Sequence, residues 1–214
     1  MRKNIMIILT ASLGLAAAPG AWAATVLSDN LGKAPFDADP VFGPIWGAAR
    51  FNTDAQAYSL SSVVLWAKSV SSGSATAELY SDNGGTTPNA SLGSLSLSGS
   101  FPPSAGPATF TASGITLAPT SAYWIVVKGT GSGVNWYWTA DNTGTGAGFD
   151  THYAISADAG STWGDTAPIE PMLMQVNVDL APVPEPGQWA MMAVTALGIA
   201  GYAARRIRAK TNVG

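Results

Sequence analysis

YSLSSVVLWA, Tyr58 to Ala67, alternates in steps of two. Tyr58, Leu60, Ser62, Val64 and Trp66 fall on one side, and Ser59, Ser61, Val63, Leu65 and Ala67 on the other. Alternation of this kind, rich in β-branched and aromatic residues, is the pattern of a strand lying on a core. Similar segments follow at 75–80 (ATAELY), 91–98 (SLGSLSLS), 122–129 (AYWIVVKG), 134–140 (VNWYWTA), 149–156 (FDTHYAIS) and 172–180 (MLMQVNVDL). Shorter ones stand at 46–51 (WGAARF), 108–110 (ATF) and 115–117 (ITL). Between them lie turn formers: Asp82-Asn83-Gly84-Gly85, Pro102-Pro103, Gly131-Ser132-Gly133 and NTGTGAG at 142–148. No helix-period stripe separates the strands. The expectation is all-β, an antiparallel β-sandwich of jelly-roll type. An outer-membrane barrel would need lipid-facing apolar bands, and these strands carry Ser and Thr on both faces.

The two ends of the 214-residue chain differ from this middle. Residues 1–23 open with Arg2 and Lys3, continue apolar from Ile5 to Ala18, and end on Ala21-Trp22-Ala23. Small residues at Ala21 and Ala23 suit a signal peptidase cleft, so cleavage is expected between Ala23 and Ala24. At the other end, Val183-Pro184-Glu185-Pro186 precede a charge-free run of 18 residues, 187–204. That run is long enough for one transmembrane helix. Trp189 sits at its outer end, and Arg205, Arg206, Arg208 and Lys210 follow as stop-transfer charges held in the cytoplasm. The prolines keep the helix from extending outward and hold Glu185 in an extended backbone. The expected division is a signal peptide at 1–23, an exported β-domain at 24–182 and a sorting tail at 183–210.

The exported region is acidic. It holds four basic residues, Lys33, Arg50, Lys68 and Lys128, against twelve acids, a net charge of −8. Such a surface repels phosphate backbones, which excludes nucleic acid as a partner. Cysteine is absent, so disulfides, zinc–thiolate sites and thiol catalysis are excluded too. A domain of roughly 160 residues can bury a core large enough to do without them. Asn89-Ala90-Ser91 matches a glycosylation sequon, but a pattern this short occurs readily by chance.

Candidate sites are few. His152 is the sole histidine and no GxSxG elbow accompanies it, so no catalytic triad is expected. Paired carboxylates could hydrolyse a glycosidic bond at separations of about 5–9 Å, but no acid sits in a recognisable local motif. No cofactor is expected. Calcium is the one metal whose oxygen chemistry the loops offer, at FDADP (36–40) and YSDNGG (80–85), although neither spacing is that of a dedicated calcium loop. The bland reading of the second is a tight turn capped by Asp82 and Asn83, with Gly84 and Gly85 at positive φ. Trp136, Tyr137 and Trp138 are the densest aromatic group. Strand alternation puts Trp136 and Trp138 on one face, as core residues or as a glycan contact.

Two resemblances add to this reading. WGAARFNTDAQAYSLSSVVLWA, AELYSDNGGTTPNASLGSLSLSG, ATFTASGITLAPTSAYWIVVKG and STWGDTAPIEPMLMQVNV, in that order, resemble the choice-of-anchor R domain. The similarity spans roughly Phe42 to Val178 and implies a β-rich exported bacterial module of undefined activity. VPEP, the apolar run and the Arg-rich end resemble the PEP-CTERM sorting signal, which implies processing by exosortase in a Gram-negative bacterium that makes exopolysaccharide. The expected partners are signal peptidase, exosortase, the inner membrane in transit and an exopolysaccharide. The expected location is the inner membrane in transit, then the cell surface or extracellular matrix. The expected function is structural or adhesive and non-enzymatic; the alternatives are a carbohydrate-binding module and, third, a secreted glycoside hydrolase.

Overall fold

The computed structural model describes residues 24–166 and 168–181. The expected leader, the VPEP motif, the helix 187–204 and the basic cluster lie outside these residues. Among the described residues there is no helix, and the strands pair antiparallel throughout. In chain order they are β1 (Thr25–Asp29), β2 (Asp37–Val41), β3 (Trp46–Asn52), β4 (Tyr58–Ser69), β5 (Ser74–Asp82), β6 (Pro88–Leu97) and β7 (Gly106–Thr111). Then follow β8 (Thr116–Leu117), β9 (Ala122–Thr130), β10 (Val134–Trp138), β11 (Tyr153–Ser156), β12 (Gly164–Thr166) and β13 (Met174–Leu180).

The strands form one open sheet in the order β1-β13-β4-β7-β6-β5-β9-β3-β11-β12. Strand β6 is the fold line. It pairs with β5 along most of its length but with β7 only at Ser96–Thr111 and Leu97–Phe110. One layer is built around β4, with β10 and then β2 extending it. The other is built around β9, between β5 and β3. A single core cluster draws Leu60, Val63, Leu65, Phe110 and Val176 from the first layer and Phe51, Leu79, Ile125 and Val127 from the second. The fold is therefore sandwich-like. Each of these side chains is almost wholly removed from water, a gain of about 1.5–3 kcal/mol apiece for residues of this size.

Strand β4 departs from strict alternation. Tyr58 and Leu60 are buried, and then Val63, Leu65 and Ala67. The core-facing positions pass from even to odd numbers between Leu60 and Val63 because the pairing with β13 shifts there: Leu60 stands opposite Val178, and Ser62 opposite Asn177. Ser61 is the extra residue of a β-bulge, so both sets of side chains face the same core. The expected face of Leu60 with Val64 and Trp66 is corrected accordingly: Val64 and Trp66 are half-buried on the outside.

One strand stands where no strand was expected, and one expected strand is shorter. FDADP is mostly strand: β2 runs antiparallel to β10, with Asp37 opposite Trp138 and Val134 opposite Val41. The segment 149–156 is strand only over its second half, β11.

Candidate functional site

Both Trp136 and Trp138 lie on the core side of β10. Trp136 is fully buried and donates its Nε1–H to Leu173 O at 3.1 Å. No face of that ring is open to a ligand. Trp138 is half-buried, packs against the core, and carries Phe36 tilted against it with ring centroids 5.0 Å apart.

The main concentration of charged and aromatic side chains lies elsewhere, on the outer face of the β5–β9–β3–β11 layer. Alternation along each strand puts it there. In β9, Tyr123, Ile125 and Val127 join the core while Trp124 and Val126 point outward. In β3, Ala49 and Phe51 face inward, while Ala48 and Trp46 belong to the outer cluster. Tyr80 of β5, Ala154 of β11 and Trp163 complete that cluster. Strand pairing aligns it: Trp46 stands opposite Lys128 and Thr76 also opposite Lys128, with Arg50 opposite Trp124.

Two polar groups run across this face. In the first, Lys128 Nζ is 2.7 Å from Glu78 Oε1, 4.5 Å from the centre of the Trp46 ring and 5.3 Å from that of Tyr80. Ser91 Oγ donates to Glu78 Oε2 at 2.8 Å. Burial alone would raise the Glu78 carboxyl, but the Lys128 and Ser91 hydrogen bonds outweigh it and leave the group below its ordinary range. Burial likewise opposes the charge on Lys128, and Glu78 with Tyr80 outweighs it, so the ammonium is held above its ordinary value. In the second group Trp124, with no exposed surface, donates Nε1–H to Asp82 Oδ1 at 2.8 Å. Arg50 Nε lies 3.7 Å from Asp82 Oδ1 and 3.8 Å from Asp150 Oδ2. It is buried and makes ion pairs there without a hydrogen bond. Asp150 also accepts Asn52 Nδ2–H at 2.7 Å and meets His152 Nδ1 at 2.6 Å. Burial pushes Asp150 upward, and the hydrogen bonds from His152 and Asn52 bring its carboxyl below the usual range.

His152 thus contacts one carboxylate, and no serine hydroxyl is bonded to it among the described residues. The acid and the amide of YSDNGG are turned inward to the chain. Asp82 Oδ2 accepts Gly84 N–H, and Asn83 Oδ1 accepts Gly85 N–H, both at 2.8 Å. Of the two glycines, Gly84 takes the left-handed backbone, with φ of 83°. A narrow slot of about 10 Å³ lies between β2 and β3–β11, lined by Asp39, Val41, Trp46, Tyr153 and Met172 among others. It has room for a single water. Among the described residues no group of three His, Cys, Asp or Glu is placed to hold a metal ion. Of the leader and tail residues, only Ala24 is described. It is exposed and immediately precedes β1.

A spacing in the sequence marks part of this face. Ser81-x-Asn83-x-Gly85-x-Thr87 and Ser156-x-Asp158-x-Gly160-x-Thr162 share one pattern and form the β5–β6 and β11–β12 turns. In each, the acid or amide bonds forward to the threonine: Asn83 Nδ2 to Thr87 Oγ1, and Thr162 N and Oγ1 to Asp158. The second turn lies on Trp46. Gly160 takes φ of 84°, and a Cβ there would come within 2.5 Å of Trp46 Cζ3. The turn and the indole therefore require glycine at that point. Compared with known proteins, the chain matches no family model and no curated protein.

Proposed function

We propose that this is an exported, surface-destined protein whose jelly-roll-like β-sandwich has a structural or adhesive, non-enzymatic role in an extracellular polysaccharide matrix. The observation that carries the reading is the closure of the outer-face network on itself. Glu78 is bonded to Lys128 and Ser91, Asp82 to Trp124, and Asp150 to Asn52 and His152. A hydrolase needs a carboxyl kept protonated near neutral pH to serve as general acid. On this face Glu78 and Asp150 are held the other way. Such a network suits a domain that must persist outside the cell without disulfides.

The export part of the proposal rests on sequence: the leader ending at Ala23, the resemblance to the choice-of-anchor R domain, and the VPEP tail. Signal peptidase acts first, the tail then holds the domain at the inner membrane, and exosortase processes the chain near Pro184-Glu185-Pro186. The test is the mass of the mature C-terminus and the cell fraction of the protein in a host with exosortase. Loss of the tail, with recovery at the surface or in the matrix, is expected. A chain found in the inner membrane with Gly214 still attached would refute sorting.

Carbohydrate binding is the second reading, favoured by one observation: the solvent-exposed Phe36 ring supported by Trp138.

A further inference from the structure

Phe36 is 71% exposed, the highest value for a large apolar side chain among the described residues. It is nevertheless held. Its backbone N–H donates to Trp138 O at 2.9 Å, and its ring lies on the Trp138 indole with 35° between planes. Trp138 rests on the core and bridges to Met172. An aromatic ring fixed from beneath and open above is a stacking surface, and leaving it in water has a hydrophobic cost.

Charge crowds the same rim. The β2–β10 register sets Asp37 opposite Trp138 and Asp39 opposite Trp136, so both carboxylates emerge on the side of the indoles. Asp39 is half-buried, and burial first, then the charges of Asp37 and Glu170, hold its carboxyl above the ordinary value. The domain's own cations are engaged elsewhere: Lys33 with Asp141, Arg50 with Asp82 and Asp150, Lys128 with Glu78. Lys68 stands opposite Asn135, one residue out of phase with Trp136, and so belongs to the other face. Among the described residues no side-chain cation is paired with the rim.

We propose that this rim binds a glycan bearing protonated amines, with one pyranose ring on Phe36 and Trp138 and its ammonium among Asp37, Asp39 and Glu170. The proposal rests on the matrix reading above and names the ligand class. A polyanionic glycan is repelled by the net charge of −8. A hydrated metal ion gains nothing from an exposed ring, and a neutral sugar leaves the carboxylates unused. An amino sugar engages both, through C–H contact with the ring and attraction between ammonium, carboxylate and π-face.

The test is calorimetric titration of the full chain in detergent with a glucosamine oligomer, below the pKa of its amines. The fully N-acetylated oligomer and an oligolysine of equal length serve as comparisons. The glucosamine oligomer is expected to bind at least about tenfold more tightly than the acetylated one, a difference of about 1.4 kcal/mol, and to weaken with added salt. Phe36→Ala should abolish binding of both sugars, and Phe36→Leu, which keeps bulk but no aromatic face, should do the same. Asp37→Asn with Asp39→Asn should remove the preference for the amine while sparing the acetylated oligomer. All these side chains are on the rim, and circular dichroism of each variant should match the parent. Equal affinity for the two sugars, tighter binding of oligolysine, or an unchanged Phe36→Ala variant would each overturn the proposal. Retention of the parent in its native matrix separates the two readings. A protein retained there but indifferent to the glucosamine oligomer refutes the amine rim alone, whereas one not retained refutes the adhesive role.

Discussion

Trp124 donates its indole N–H to Asp82 across 2.8 Å, from a ring with no exposed surface, on the face of the sheet that points away from the main core. The sandwich therefore has a second, small interior outside its principal one. Its lid consists of partly exposed charged and aromatic side chains. Replacing Trp124 by Phe keeps most of the bulk and leaves the Asp82 oxygen with Arg50 alone. The expected loss is about 1.5–3 kcal/mol, the range for a hydrogen bond to a charged group, read from urea unfolding. No change in the midpoint would show that the contact is idle.

The paired groups on this face make stability depend on pH at both extremes. Glu78 and Asp150 have folded values below their unfolded ones, so their contribution is complete above the ordinary carboxyl range, near 4.5 for Glu78 and 3.8 for Asp150. It is lost as pH falls through the lower, folded values. Lys128 has the opposite sign: its contribution is complete below its ordinary 10.5 and is lost as pH rises through the higher, folded value. The contribution of these paired groups to the thermal midpoint should be flat between these limits and fall outside them. In Lys128→Met the alkaline fall attributable to the pair should vanish. A parent protein whose midpoint is unchanged between neutral and acid pH would contradict the assignment.

Trp136 and Trp138 are two positions apart on one face, yet their substitution should differ. Trp136→Ala opens a cavity in the core and leaves Leu173 O without its indole donor, at a cost of about 3–5 kcal/mol. Trp138→Ala removes a half-buried ring and should cost less in stability, while freeing Phe36 from its support. Chemical denaturation of both variants gives the comparison, and equal losses would mean that Trp138 is as much a core residue as Trp136.

Deletion of Ser61 removes the bulge of β4. Tyr58, Leu60, Val63, Leu65 and Ala67 would then alternate strictly on the core side, with Leu60 and Ser62 still opposite Val178 and Asn177. The deletion removes the Ser61 carbonyl that accepts the Ala112 N–H, so the variant should fold with native circular dichroism and a lower urea midpoint, whereas Ser61→Ala should keep the parent midpoint. A deletion variant that does not fold would show that the β7 side of β4 depends on the extra residue.

For the tail, each part should fail in its own way. Glu185→Ala leaves the charge-free run intact, so insertion should persist while processing is impaired. Neutral residues at Arg205, Arg206 and Arg208 should let some chains slip through unanchored. Fractionation and mass spectrometry of the C-terminus distinguish these outcomes, and identical behaviour of the two variants would argue for a simple anchor.

The strands that were legible in the sequence are those whose alternation is carried by large apolar residues. Leu79 of β5, Ile125 and Val127 of β9 and Val176 of β13 are examples, all buried in one core. Strand β2 was hidden because Asp37, Asp39 and Pro40 are turn formers by composition. Only pairing with β10 makes them extended, and no local property of DADPV announces that partner. The bulge at Ser61 was hidden for a related reason. Serine at 59, 61 and 62 tolerates either face, so nothing in YSLSS marks where the phase changes. The outer-face cluster was illegible as a unit because Trp46, Tyr80, Trp124 and Trp163 come from four separate segments. The alternation in each strand was readable; their convergence depends on the strand order.

The position of β13 sets the order in which this domain can finish folding. Strand β1 pairs with β13 and with no other strand among those described, and β13 also borders β4. Thr25 and Val178, which face each other, are 153 positions apart along the chain. A chain emerging from its N-terminus therefore delivers β1 first and must keep that strand without its neighbour until the final one arrives. Closing so long a loop gives this contact a slow, late place in assembly. The middle of the sheet can assemble on the way, but its first edge waits for the last strand, so the domain is completed only when nearly all of it has come through.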